Sequence, residues 1–319
     1  MKAWLFTGVD EPLKLIERET PRPGPGEVLL EVHGAGLCGS DLHIMNGTVT
    51  HLLSKVPLVL GHEVAGVVVA TGEGVADYQP GDRVIASGTD TYCPGFHTDG
   101  GYATHCLLAA SSLRRIPDGV SFVQGAAATD AGQTSYSAVM RAGALQKGQR
   151  VGIVGLGGVG LTAARIAVVN GAAEVYAAEP RRDVWQLARD QGVKEVVEDV
   201  SALAQYKLDL IIDCAGFGTT TAGAIAAVNP GGLVVLVGAA VAEATIPSAL
   251  LVNNEVTLRG AKGGHAGDTE AVLAHMQRGE LEILASTISF DEIPDGLARL
   301  ERGGVTGRLV AEPHAQGGA

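Results

Sequence analysis

Gly155, Gly157 and Gly160 stand in the run GLGGVG, directly after the apolar stretch 151–154. A small-residue helical segment follows, then a second apolar stretch ending on Glu179, 24 residues after Gly155. Strand, glycine turn, helix, strand and terminal acid together form the pattern that holds a dinucleotide. Gly155 permits the tight turn, and Gly157 removes a Cβ where a pyrophosphate must approach. Gly160 lets the helix pack close to the sheet. The free N–H groups at the helix start, where Gly158 and Val159 lie, favour the phosphate charge. Glu179 can accept hydrogen bonds from the ribose hydroxyls.

A second set of residues could hold a metal. Cys38 lies in GAGLCGSDLH, His62 in LVLGHEVAGVV and Asp130 in AAATDAGQT, each at the edge of an apolar element. A thiolate, an imidazole and a carboxylate make a mixed-ligand catalytic zinc site with its fourth position open. Such an ion lowers the pKa of a coordinated alcohol and polarises a carbonyl. Taken singly, each residue has a plainer reading: a lone cysteine is a small buried hydrophobe, and a lone histidine a satisfied polar group.

The elements that must position these groups differ along the chain. Residues 1 to about 120 read as short strands (27–33, 64–70, 82–86 and 102–108) punctuated by four Pro-Gly pairs, which predicts a compact β-barrel-like unit. Residues 121–145 read as two short helices. From 150 to 262 strands alternate with helices: 183–191, 208–214, 219–228, 232–237 and 254–259. This is the doubly wound pattern, with ligands at the carboxyl ends of the strands. The tail carries helices at 268–278 and 294–302, a last strand at 307–311, and a frayed end over 314–319.

Composition limits the function. The 319 residues are 46% hydrophobic but only 4% aromatic, so the core must be built from Val, Ala, Leu and Ile. The net charge of −12 is scattered, with no basic stripe for nucleic acid. No apolar run reaches the roughly 18 residues of a membrane span, and the N-terminus lacks a signal-peptide pattern. Four irregularly spaced cysteines, Cys38, Cys93, Cys106 and Cys214, argue against a disulfide framework and for a cytoplasmic location. Cys214 reads as core.

In order along the chain, GLCGSDLH, PLVLGHEVAGVVVATGEGV, GDRV, GGYA and the glycine fingerprint resemble the zinc-dependent medium-chain alcohol dehydrogenase family over nearly the whole length. The resemblance implies an α/β chain: a Rossmann doubly wound parallel sheet (131–262) plus a chaperonin-10-like β-barrel catalytic domain (1–130 and 263–319). A cleft between them would hold the nicotinamide beside the zinc. It implies Cys38, His62 and Asp130 as metal ligands, and Glu63 as an acid near the metal that can ligate during exchange. Asp41 would orient an imidazole ligand. Ser40 would hydrogen-bond the substrate oxygen, and His43 would end a proton relay. Arg308 would contact the pyrophosphate, and the backbone at Val237 the nicotinamide amide.

The chain also departs from the family. The segment between GDRV and GGYA holds Cys93 alone, with Cys106 beyond it. A four-thiolate structural zinc therefore cannot form, and one catalytic zinc per chain is expected. His97 with Cys93 and Cys106 makes a poor substitute. Glu179 favours NAD, because a carboxylate repels a 2′-phosphate. Arg181 and Arg182 follow it at once and keep NADP as the alternative. The resulting expectation is hydride transfer between a nicotinamide cofactor and a small-molecule alcohol/carbonyl pair. Two other readings are a zinc-free quinone or enone reductase of the same superfamily, and a nucleotide-binding protein without turnover. The substrate depends on loops near 44–57 and 87–100 and is not readable. A homodimer or homotetramer is expected by family analogy, with open strands near 233–260 as the pairing edge.

Overall fold

A computed structural model describes residues 1–88 and 92–314. Thr89, Asp90 and Thr91, in one of the expected substrate loops, and the last five positions of the chain lie outside the described residues. The chain divides into two units: Met1–Asp130 with His265–Gln277 and Ala285–Ala319, and Ala131–Gly264 with Arg278–Leu284. The stretch 278–284 thus falls within the second unit, whereas the sequence reading assigns everything after 262 to the catalytic domain. A physical tie accompanies this: the Arg165 guanidinium donates to the Glu280 carbonyl at 2.7 Å.

The first unit is built on a seven-stranded sheet. Its strands run in the order Ala285–Ser289, Arg308–Glu312, Glu27–Leu37, Glu63–Thr71, Arg83–Ala86 and Leu113–Arg115, with His105–Ala109 also pairing to Glu27–Leu37. All pairs are antiparallel except the first. A smaller sheet joins Lys14–Glu17, Lys2–Phe6 and Leu58–Val59. The alternating apolar residues of these strands supply the core, with Val28, Leu30, Val32, Val64, Val68 and Val84 buried. Three adjacent antiparallel strands bring the end of Glu27–Leu37, the start of Glu63–Thr71 and the start of Arg308–Glu312 to one edge, since Gly36 opposes Glu63 and Leu37 opposes Leu309.

The second unit holds six parallel strands in the order Glu195–Val197, Glu174–Ala178, Arg150–Val154, Leu208–Asp213, Val228–Leu236 and Thr257–Gly260. Numbered along the chain, this is the 3-2-1-4-5-6 order of the Rossmann fold. The expected fold class is borne out. The two helices read over 121–145 are a run of alternating α and π segments: Phe122–Ala127, Ala128–Gly132, Gln133–Tyr136 and Ser137–Ala142.

Candidate active site

The metal-ligating side chains converge within the first unit. Cys38 follows strand Glu27–Leu37 and caps the helix Gly39–Met45. His62 and Glu63 open strand Glu63–Thr71. Asp130 projects from the π-helical turn Ala128–Gly132, a geometry that recurs at functional sites. The four ligand atoms lie within 4.8 Å of one another. Cys38 Sγ is 3.2 Å from Asp130 Oδ2, and His62 Nε2 is 4.0 Å from the same oxygen. Tetrahedral zinc at its usual bond lengths separates ligand atoms by about 3.3–3.8 Å, so the set fits the ion. Glu63 is fully buried, and neither of its oxygens has a hydrogen-bond partner. Gly36, opposite Glu63, makes room for that carboxylate: a Cβ there would meet Glu63 Oε2 at 2.4 Å.

The electrostatics point the same way. One thiol and three carboxyls (Cys38, Asp41, Glu63 and Asp130) share this pocket with a single guanidinium, Arg308. Burial first, and then Asp130 acting against the pull of Arg308, pushes the Glu63 carboxyl up to about 8. Burial also works against a charged His62. Asp41 and then Cys38 outweigh it and hold the imidazole well above its ordinary value. A buried excess of anionic donors is what a divalent cation neutralises.

Asp41 is fully buried, and its Oδ1 lies 3.3 Å from His62 Nδ1. Its Oδ2 accepts from the Cys38 backbone N–H at 3.1 Å and from the Tyr102 hydroxyl at 2.7 Å. Ser40 Oγ is 3.6 Å from Cys38 Sγ. His43 lies one helical turn on from Ser40, on the same face, with its Nδ1 buried and without a hydrogen bond.

Arg308 stands differently from its expected pyrophosphate role. It is only 6% exposed, its guanidinium lies 3.3 Å from Glu63, and it donates to Asp130. The reason is topological. Strand Arg308–Glu312 pairs with Glu27–Leu37, which carries its first residue to the carboxylate cluster.

In the second unit Gly155 takes φ +84, as the tight turn requires. A Cβ at Gly160 would meet the Gly155 carbonyl oxygen at 1.8 Å, whereas one at Gly157 would meet nothing within 4 Å. Gly157 caps the helix Gly158–Val169. Glu179 bridges the turn: its carboxylate accepts from the N–H of Leu156 at 2.8 Å and of Arg181 at 2.9 Å. The Arg181 side chain lies 3.5 Å from the same carboxylate, and Arg182 pairs with Glu198 at 2.7 Å. The Val159 carbonyl accepts from Ser135, and the Val237 N–H is taken by the Asp213 carbonyl at 2.9 Å.

Sequence reasoning missed three residues. Tyr102 was read only as the start of a strand, although GGYA marked the spot. The Phe96 ring meets the His62 imidazole edge-on at 5.3 Å from a loop that carries no motif. Asp213 is fully buried and accepts from Ala215, Gly216, Thr220 and Thr221, fixing the turn after its strand. Its place as the last acid of an apolar strand is the signal that could have found it. In the departing segment, the Cys93 N–H donates to His97 Nδ1 at 3.0 Å, and Cys106 is buried with its Sγ 3.2 Å from the Asp99 carbonyl.

Comparison with known proteins agrees with this architecture. The family model "Alcohol dehydrogenase GroES-like domain" matches residues 24–118, and "Zinc-binding dehydrogenase" matches 158–278. An alcohol dehydrogenase of Geobacillus stearothermophilus is 31% identical over 97% of this chain and 98% of its own. A sorbitol dehydrogenase of Gallus gallus is 32% identical over 78% of each. Among solved structures, the alcohol dehydrogenase of Aeropyrum pernix superposes with a TM-score of 0.90 at 29% identity, covering 98% of this chain and 100% of that one. The acetophenone reductase of Geotrichum candidum, solved with NAD, gives 0.88 at 30% identity, covering 98% and 97%. The chain belongs to the zinc-type medium-chain alcohol dehydrogenase family. It is an oxidoreductase of the alcohol dehydrogenase and ketone reductase type. No helix among the described residues is long and apolar enough to cross a membrane.

Proposed function

We propose that this protein is a zinc-dependent, NAD-preferring dehydrogenase that interconverts a small alcohol and its carbonyl compound. One observation carries the reading: Cys38, His62, Glu63 and Asp130 converge within 4.8 Å in a buried, anionic pocket. The zinc-free reductase and the inert binder have no use for that convergence. Zinc, when bound, supplies Lewis acidity to the substrate oxygen. Cys38, His62 and Asp130 would hold it, with Glu63 able to replace a departing ligand. Oxidation takes a proton from the alcohol oxygen and a hydride from its carbon, giving carbonyl, reduced nicotinamide and a free proton. Ser40 would accept that proton's hydrogen bond, and His43 would pass it outward. Phe96, packed against His62, would give the substrate an apolar wall. Relatives named for sorbitol and for acetophenone support a broad range of alcohols and ketones as candidates.

NAD is favoured because Glu179 stands at the strand end and draws Arg181 against itself, while Arg182 pairs with Glu198. Val159 and Gly158 would face the pyrophosphate. One zinc per chain is the count that the convergent group Cys38, His62, Glu63 and Asp130 supports. The open edge strand Thr257–Gly260 suits pairing of two copies, and a cytoplasmic home suits four cysteines that form no disulfide among the described residues.

The test is incubation with NAD or NADP and a panel of secondary alcohols, watching for reduced cofactor. Cys38→Ala and His62→Ala should abolish turnover and lower bound zinc. Full turnover by metal-stripped enzyme would sink the reading.

A further inference from the structure

We propose that Tyr102 is a positioning residue for the metal site, acting through Asp41 on both Cys38 and His62. The inference rests on the zinc reading above. The Tyr102 side chain is completely buried. Its ring lies on the backbone of Gly61, the residue before His62, and a Cβ at Gly61 would approach the ring at 2.5 Å. The Tyr102 backbone is pinned as well: its N–H donates to the Leu60 carbonyl at 3.0 Å, and its carbonyl accepts from the Trp4 N–H at 2.8 Å. The hydroxyl therefore has little freedom, and it donates to Asp41 Oδ2 at 2.7 Å.

That oxygen also takes the Cys38 N–H. Two fixed donors on Oδ2 set the plane of the carboxylate and leave Oδ1 to face His62 Nδ1, at 3.3 Å. Both of these facing atoms are buried, and neither has a hydrogen bond to any other group. A carboxylate so placed holds the Nδ1–H tautomer and leaves Nε2 for a metal. Phenylalanine at this position would keep the ring and lose the lock. The Asp41 carboxylate would then be free to turn about its side-chain bonds, and His62 with it.

The test uses the full chain and zinc itself as the probe. Zinc affinity is measured by competition with a fluorescent chelator for wild type, Tyr102→Phe, Asp41→Asn and the double variant. A lost partner of this kind weakens metal binding by about 10–100-fold, which is the result expected for Tyr102→Phe. In the Asp41→Asn background the same change should have little further effect, because the route runs through Asp41. Tyr78→Phe removes another tyrosine hydrogen bond, a part-buried one to the Leu113 carbonyl at 2.7 Å, and should leave zinc affinity unchanged. Cobalt substituted for zinc should show shifted ligand-field bands in Tyr102→Phe, a readout that a loss of stability alone does not move. Wild-type zinc affinity in Tyr102→Phe, an equal loss with and without Asp41, or a variant that does not fold would each overturn the proposal. A wild-type protein that binds no zinc would instead overturn the reading beneath it.

Discussion

Glu63 and Arg308 lie 245 positions apart in the chain and 3.3 Å apart in space, both buried. The guanidinium is the one cation among the groups that bear on Glu63's charge, apart from His62. Removing one partner of a buried ion pair strands the other and costs roughly 3–5 kcal/mol. Glu63 can take up a proton instead, and Arg308's other partner, Asp130, is partly exposed, so Arg308→Met should destabilise the metal-free protein by less, about 1–3 kcal/mol in urea unfolding. Zinc-loaded protein should lose less, because the metal supplies part of the missing positive charge.

The glycine turn offers a cleaner separation of folding from binding. At Gly157 a methyl group meets open space, and the backbone there is extended. Gly157→Ala should keep stability within about 1 kcal/mol of wild type and weaken dinucleotide binding about tenfold or more. At Gly160 the same methyl collides with the Gly155 carbonyl. Gly160→Ala should lose stability first. Calorimetric titration with NAD beside thermal melts distinguishes the two, and equal NAD affinity for Gly157→Ala and wild type would contradict the assigned pyrophosphate approach.

The thiols should respond unequally to a disulfide reagent. Burial holds Cys106 well above its ordinary thiol value, with Asp99 adding to it, and Cys214 likewise with Asp213. Neither offers a thiolate near pH 8. The half-buried Cys93 should react in the metal-loaded protein, and chelation should release a second reactive thiol, Cys38. Loss of that second thiol in Cys38→Ser would identify it.

Stability should fall on mild acidification through His105. Burial lowers its pKa, with His314 and the N-terminal amine adding to it and Glu31 opposing; its Nδ1 lies 3.1 Å from Thr104 Oγ1. A folded value below the unfolded one, about 6.5, means the unfolded chain binds more protons between the two. The contribution is thus present above pH ~6.5 and is lost as pH falls through the folded value. Across pH 7.5, 6.5 and 5.5 the wild-type urea midpoint should fall relative to that of His105→Gln.

Much of this could be read from residue order. The glycine turn with Glu179, and the trio Cys38, His62 and Asp130, were legible because each needs a particular side chain at a particular element end. Arg308 was not. Its neighbours are set by the pairing of Leu309 with Leu37, a contact between the two ends of the chain that local pattern does not encode. Strand Val228–Leu236 was read only from 232, because Pro230 and Gly231 look like a break. The structure accommodates them with a register shift against Leu208–Leu210. Strand Lys14–Glu17 was missed because an edge strand with charged ends shows little apolar alternation.

The placement of Arg308 at the head of strand Arg308–Glu312 also makes the charge balance of the site depend on one strand pairing. Cys38, His62, Glu63 and Asp130 all precede Arg308 by at least 178 positions. The guanidinium that balances their charge comes in on the strand that pairs against Glu27–Leu37. Unpairing that strand would withdraw the guanidinium from the cluster and leave Glu63 and Asp130 without its counter-charge.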